Sequence, residues 1–317
     1  MHLLRRSLIL FICCILGACA TKKQSVNQQH VSENYNTRVK FLVVHYTVGD
    51  WQSSLDVLTK SYGQVSAHYL IPQEFDGSYK EKELEVYQLV DENLRAWHAG
   101  PSQWENKQGI NDQSIGIELV NSSTCIYQWQ NSTLDHRNDY LCNYHDFSPK
   151  QIELLIELSK GILARHPEIT PTRVLGHSDI QVDLKSDPGP RFPWHTLYKH
   201  GIGAWYDDNT VEKYWRLFTT SQMPSIAEAQ CALQTYGYGI KVTTEHDEQS
   251  FDHFRAFQLH FRPWLVNGEV DVKTMARLWA LLEKYFPESL GVDGELLSEC
   301  ELISPTPEIQ EVQQQQG

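Results

Sequence analysis

From residue 38 onward, apolar runs of strand length alternate with stretches of helical spacing. Val39–His45 (VKFLVVH) is a run of β-branched and aromatic residues that predicts a buried strand with His45 at its C-terminal end. Leu55 and Leu58 suggest a short helix, and Ser66–Ile71 (SAHYLI), Val86–Val90 and Ser114–Val120 (SIGIELV) read as further strands. Ala96–Gly100 falls in a loop. Ser148 followed by Pro149 is an N-cap with proline at the first helical position, opening an amphipathic helix through Ile152, Leu155, Ile156, Ile162 and Leu163. Strands alternating with helices predict a mixed α/β domain over 38–220.

After Met223-Pro224 the spacing changes. Ile226, Ala229, Gln230 and Leu233 step at helical intervals into Tyr236-Gly237-Tyr238-Gly239, a helix stop. Phe251, Phe254, Phe257 and Phe261 mark a second helix, and Val272, Met275, Leu278 and Leu282 a third. Three short helices make a small domain over 221–290 in which the phenylalanine stripe is core. The stretch 291–317, rich in Gln, Glu and Pro, reads as a disordered tail.

At the N-terminus, Arg5 and Arg6 precede an apolar run, Leu8–Leu16, too short to span a bilayer. It closes with Leu16-Gly17-Ala18-Cys19, which resembles the lipobox of bacterial lipoproteins. The resemblance implies a signal over 1–18, a lipid on Cys19 and a flexible tether over 19–37. Ala20, where an inner-membrane retention signal carries Asp, implies the periplasmic side of the outer membrane. The net charge of -13 argues against a nucleic-acid partner. Cys125, Cys142, Cys231 and Cys300 remain after the signal and lipid cysteines, an even set compatible with disulfides in an oxidising compartment. Cys125 and Cys142, both in one polar excursion, are a candidate pair; two free thiols are the alternative, and the spacing leaves the connectivity open.

The densest chemistry lies in Gly176–Trp194 (GHSDIQVDLKSDPGPRFPW). His177 and Asp187 offer a neutral nitrogen and an anionic oxygen, donor types that catalytic zinc accepts in sets of three with a fourth position open. His45, closing its strand, is the candidate third donor. A lone histidine at a strand end is more often structural than a ligand, and His136, His145, His166, His195 and His200 have no neighbours that suggest otherwise. Spacing alone does not show that His45, His177 and Asp187 meet.

Five ordered motifs, VVHYT (43–47), SAHYLI (66–71), AWHAG (96–100), SIGIELVN (114–121) and GHSDI with KSDPGP (176–190), resemble the zinc-dependent N-acetylmuramoyl-L-alanine amidases of the type 2 family. That family shares its fold with peptidoglycan recognition proteins. The layout is that of its outer-membrane lipoprotein members, and FRAFQLHFRP with GEVDVKT resembles the peptidoglycan-binding type 1 module. The resemblance implies a mixed central sheet flanked by helices and one zinc ion held by His45, His177 and Asp187. It makes Glu118 and Lys185 the catalytic pair, a general base and an oxyanion-stabilising cation. Trp97 and His98 are expected to line the groove; His68 is expected to be packed and structural. Asn111 is a candidate for positioning substrate, with a turn role the alternative. The expected partner is peptidoglycan or its muropeptides, cut between N-acetylmuramic acid and L-alanine by a monomer. A catalytically silent recognition lipoprotein and a zinc peptidase acting within the stem are the competing readings. The family often carries Pro and Arg shortly before the lysine, whereas this chain has Val182-Asp183-Leu184. The excursion 122–146 has no clear counterpart.

Overall fold

A computed structural model describes residues 27–127 and 140–302, apart from 28, 31, 35 and 222. The apolar N-terminal run, Cys19, most of the tether, the tip of the 122–146 excursion and the stretch beyond Leu302 lie outside the described residues. The chain divides between Asn36 and Thr37, and every element below belongs to the second unit.

Strand β1 (Phe41–Tyr46) has all six residues buried, as a strand covered on both faces requires. It leads into α1 (Trp51–Thr59), whose cap Asp50 accepts the Ser53 N–H. Then come β2 (Tyr69–Ile71), β3 (Tyr87–Gln88), a hairpin of β4 (Gln103–Trp104) and β5 (Lys107–Gln108), and β6 (Ser114–Leu119). The excursion forms a second hairpin, β7 (Thr124–Tyr127) with β8 (Tyr140–Asn143). The chain continues through α2 (Pro149–Arg165), β9 (Val174–Gly176), α3 (His177–Ile180), α4 (Trp194–Lys199) and α5 (Asp208–Thr220). Helices α6 (Ile226–Tyr236), α7 (Glu248–Phe261) and α8 (Val272–Tyr285) complete it.

The central sheet has the order β3-β2-β6-β1-β9. Four neighbours, β2, β6, β1 and β9, run parallel, and β3 is an antiparallel edge. This is the mixed sheet expected, and it sends the C-terminal ends of β1, β6 and β9 to one side. Helix α2 starts with Ser148 at the N-cap and Pro149 after it, but the capping chemistry differs from expectation. The Ser148 hydroxyl accepts the Glu74 N–H, while the Glu74 carboxylate takes the Lys150 N–H at 3.1 Å. Buried Gln151 on the same helix donates to the carbonyls of Ile71 and Val120, closing the ends of β2 and β6.

Beyond residue 220 the three expected helices are present, with Phe251, Phe254, Phe257 and Phe261 all buried. One hydrophobic cluster takes in Val43, Ile117 and Leu175 of the sheet together with Leu233, Phe257 and Leu281 of the helical region. Helix α5, not among the elements expected from the sequence, is part of that joint. Its Phe218 packs edge-on against Trp279 of α8, and its Tyr214 donates to Glu283 at 2.6 Å. Cys125 and Cys142 are register partners across β7 and β8 and are disulfide-bonded. Cys231 and Cys300 form a second disulfide, and Leu302 bridges to Val242. Residues 291–302, assigned above to the tail, therefore return to the helical region. Their polar composition gave no sign of the disulfide that ties them down.

Candidate active site

Pairing of parallel strands sets the site. His45 and Glu118 are partners in the β1–β6 register, and Val44 pairs with Gly176 of β9, so His177 follows one step beyond at the same level. Three chain segments distant in sequence thus deliver side chains to one place outside the carboxyl ends of the strands, where open α/β sheets carry their ligands. Asp187 is drawn in by its own backbone, which accepts the Ser178 N–H at 2.9 Å. Pro188 packs over Gly176, where a Cβ would lie 2.7 Å from the proline Cδ. Glycine is what allows that loop to close.

The three candidate donors form a nearly equilateral triangle. His45 Nδ1 lies 3.1 Å from both His177 Nδ1 and Asp187 Oδ2, and His177 Nδ1 lies 3.2 Å from that oxygen. Hydrogen bonds alone cannot satisfy all three contacts. If both nitrogens donate to the carboxylate, they face each other as donors; if one does not, a contact has no proton. A cation at the centre satisfies all three. Among the described residues this is the group of His, Cys, Asp and Glu side chains close enough to hold a metal ion. Burial, with His177 beside it, pushes His45 down to about 4 and keeps it neutral, the form a ligand needs. Burial works against a charge on Asp187, yet His177 and His45 hold it well below the usual carboxylate range.

Behind His45 runs a chain of imidazole contacts. His45 Nε2 is 3.0 Å from His98 Nδ1, and His98 Nε2 is 3.0 Å from Ser114 Oγ. With Nδ1 of His45 given to a metal, its Nε2–H donates to His98, whose own Nε2–H then donates to Ser114. The ligand's tautomer and ring orientation are both fixed this way. Burial and His45 hold His98 well below the usual histidine range. The ring fits because residue 116 is glycine, where a Cβ would stand 2.4 Å from His98 Cγ.

Glu118, Lys185, Trp97 and His98 line a cleft of about 300 Å³ with the triad and Val48, Val57 and Val65. Glu118 Oε2 is buried without a hydrogen-bond partner among the described residues, and the residue lines the cleft. Burial, and then the Asp187 carboxylate, push Glu118 up to about 8, with Lys185 opposing. Trp97 is 54% exposed at the rim. Asn111 is not in the lining. Its buried Oδ1 accepts the backbone N–H groups of His98 and Ala99 at 2.9 and 2.8 Å, so it holds the loop that carries His98. His68 is packed, as expected: its Nδ1 accepts the Gly116 N–H, and its Nε2 meets the Leu94 carbonyl.

The family model for N-acetylmuramoyl-L-alanine amidase matches residues 35–190, and that for a peptidoglycan-binding domain matches 222–278. The N-acetylmuramoyl-L-alanine amidase AmiD of Escherichia coli is 40% identical over 278 residues, covering 86% of this chain and 95% of AmiD. The chain belongs to the N-acetylmuramoyl-L-alanine amidase family. The amidase superposes on crystalline AmpDh3 from Pseudomonas aeruginosa with a TM-score of 0.74 and 43% identity, over 83% of this chain and 98% of AmpDh3. It superposes on Escherichia coli AmiD in complex with anhydro-N-acetylmuramic acid-L-Ala-D-γ-Glu-L-Lys with a TM-score of 0.66 and 39% identity, over 82% and 95% of the two chains. The amidase is a hydrolase of peptidoglycan, and the recognition-only reading gives way to an enzyme. The sequence did not single out Ser114, Gly116 or Asp179 for the site. Glycine inside an apolar strand is a signal of close approach, and Gly116 answers it; Ser114 and Asp179 have no comparable mark.

Proposed function

We propose that the amidase is zinc-dependent, with His45, His177 and Asp187 as ligands, Glu118 as general base and Lys185 as the cation that meets the oxyanion. The donor triangle carries this reading. Four donors at about 2.0–2.1 Å around a tetrahedral zinc stand about 3.3 Å apart, close to the 3.1–3.2 Å separations of the two Nδ1 atoms and Oδ2. Bound there, zinc supplies Lewis acidity to the scissile carbonyl and acidifies the attacking water.

The chain's own residues do the rest. Glu118, level with His45 on the adjacent strand, takes the proton of the water and returns it to the departing L-alanine nitrogen, so the amide C–N bond breaks without releasing an anionic amine. A nearby cation lowers its carboxyl from the value set by burial and keeps it a base at neutral pH. Lys185, which lines the same cleft, supplies the positive charge for the developing oxyanion. The Trp97 indole, with Val48, Val57 and Val65, offers an apolar lip for a face of the sugar.

The domain reading is an amidase module over 38–220 joined to a helical module that starts at 221 and, tied by the Cys231–Cys300 disulfide, runs past 290 to 302. The Leu16–Cys19 motif supports a lipid anchor at Cys19 in the outer membrane, with the enzyme facing the periplasm as a monomer. Titration of metal-free protein with zinc is expected to give one equivalent bound tightly by wild type and none by Asp187→Ala. Mass analysis of digested muropeptides is expected to give free disaccharide and intact stems; shortened stems would instead indicate a peptidase.

A further inference from the structure

Helix α3 carries a metal-ligand candidate in its first turn but is four residues long, too short to hold its own geometry. What holds it is Asp179, two residues beyond His177. This carboxylate is almost wholly buried and accepts three hydrogen bonds. One is local, from the Gly176 N–H at 2.7 Å, and fixes the turn that aims His177. The other two come from beyond residue 221: the Tyr238 hydroxyl at 2.7 Å and His260 Nδ1 at 2.8 Å. Both donors are themselves buried and locked by rings. The His260 ring stacks on Trp194 with centroids 3.8 Å apart, and Tyr238 meets Trp104 at 4.7 Å. Trp104 in turn packs over Gly237, whose carbonyl accepts the Glu105 N–H at 2.6 Å. A buried carboxylate left with one backbone donor is strongly unfavourable, so the catalytic half of the chain does not complete this anchor alone.

We infer that the helical region acts as a brace for the metal centre, with Tyr238 and His260 serving as positioning residues for His177 through Asp179. The inference rests on the reading of His177 as a metal ligand. A module that only holds the wall leaves metal affinity untouched, and this one does not. The second-sphere contacts of metal sites set the scale: their loss weakens binding by about 10–100-fold.

The test is zinc affinity of the full-length chain, measured by competition with a chromogenic chelator well below the unfolding temperature. Turnover of a soluble muropeptide and pelleting with purified sacculi are measured alongside. The double variant Tyr238→Phe/His260→Leu is expected to bind zinc about tenfold more weakly. At limiting zinc its kcat is expected to fall with KM unchanged, and its sacculus binding to stay at the wild-type level. His260→Asn, which keeps a donor where Nδ1 stood, is expected to retain affinity within twofold of wild type. A folded double variant with wild-type zinc affinity overturns the brace. Should the double variant fail to fold, Tyr238→Phe alone carries the test: at least threefold weaker zinc binding is expected, and wild-type affinity overturns it. Wild type that binds no zinc, or Asp187→Ala that binds as well as wild type, overturns the metal reading and the brace with it.

Discussion

Glu118 sits where two opposing influences meet, burial against its charge and a cation site at its side. Glu118→Gln keeps the shape and removes the proposed base, so kcat is expected to fall by about 10²–10⁴-fold while zinc stoichiometry stays at one. The pH profile should carry the same signature. A base works only when deprotonated, so kcat/KM at saturating zinc should fall as pH drops through an acid limb. That limb is expected above the ordinary glutamate value of 4.5 and below the value of about 8 that burial sets without the metal. It should vanish from the residual activity of Glu118→Gln. Gly116 is a second test of single-residue chemistry. Alanine there would put a methyl 2.4 Å from His98 Cγ, turning the ring away from His45. Zinc affinity is expected to drop by about tenfold in a chelator competition assay, although residue 116 touches no ligand. The donor triad was legible as residue types because His177 and Asp187 lie in one short segment and His45 closes an apolar strand. Its closure was not, because three contacts of 3.1–3.2 Å depend on strand register.

At the scale of elements, the apolar runs gave β1, β6 and α2 nearly whole, since a strand buried on both faces and a helix with one apolar stripe each leave a distinct period. The pieces they missed are short or polar. The β4–β5 hairpin has two residues per strand, too few to show a period, and α5 buries Tyr214 and Phe218 with Val211 and Leu217 half-buried beside them, a narrow stripe among charged and polar residues. The β9–α3 turn illustrates what an element owes to a neighbour outside it. Gly176→Ala would bring a methyl against Pro188 Cδ at 2.7 Å, separating His177 from Asp187. The expected result is a loss of about 1–3 kcal/mol in urea unfolding of the metal-free protein. Weakened zinc binding should accompany it in titration calorimetry.

For the whole molecule, the change of spacing after Met223-Pro224 separates the stretch that matches the amidase model from the one that matches the peptidoglycan-binding model, but it does not tell how closely the two are joined. Helical spacing reports which face of a helix is apolar and says nothing about what covers it. The cover here is shared: Trp104 of the first part lies on Gly237 and Tyr238 of the second, and Asp179 collects donors from both. The Cys231–Cys300 disulfide closes a loop with a sequence separation of 69 residues. Chain entropy gives such a bond about 4 kcal/mol of stabilisation. Replacing both cysteines with alanine is expected to lower the urea midpoint in proportion, with a single transition for both parts because they share one hydrophobic cluster.

That shared cluster also bears on the order in which the chain is made. Val43 of the sheet is synthesised early and Leu282 of the last helix late, yet both halves of the interior close on each other. A polypeptide emerging N-terminus first presents His45 long before Tyr238 and His260 exist to steady Asp179. On the brace inferred above, the nascent chain lacks the support of its histidine and aspartate triad until the helix that carries His260 has emerged.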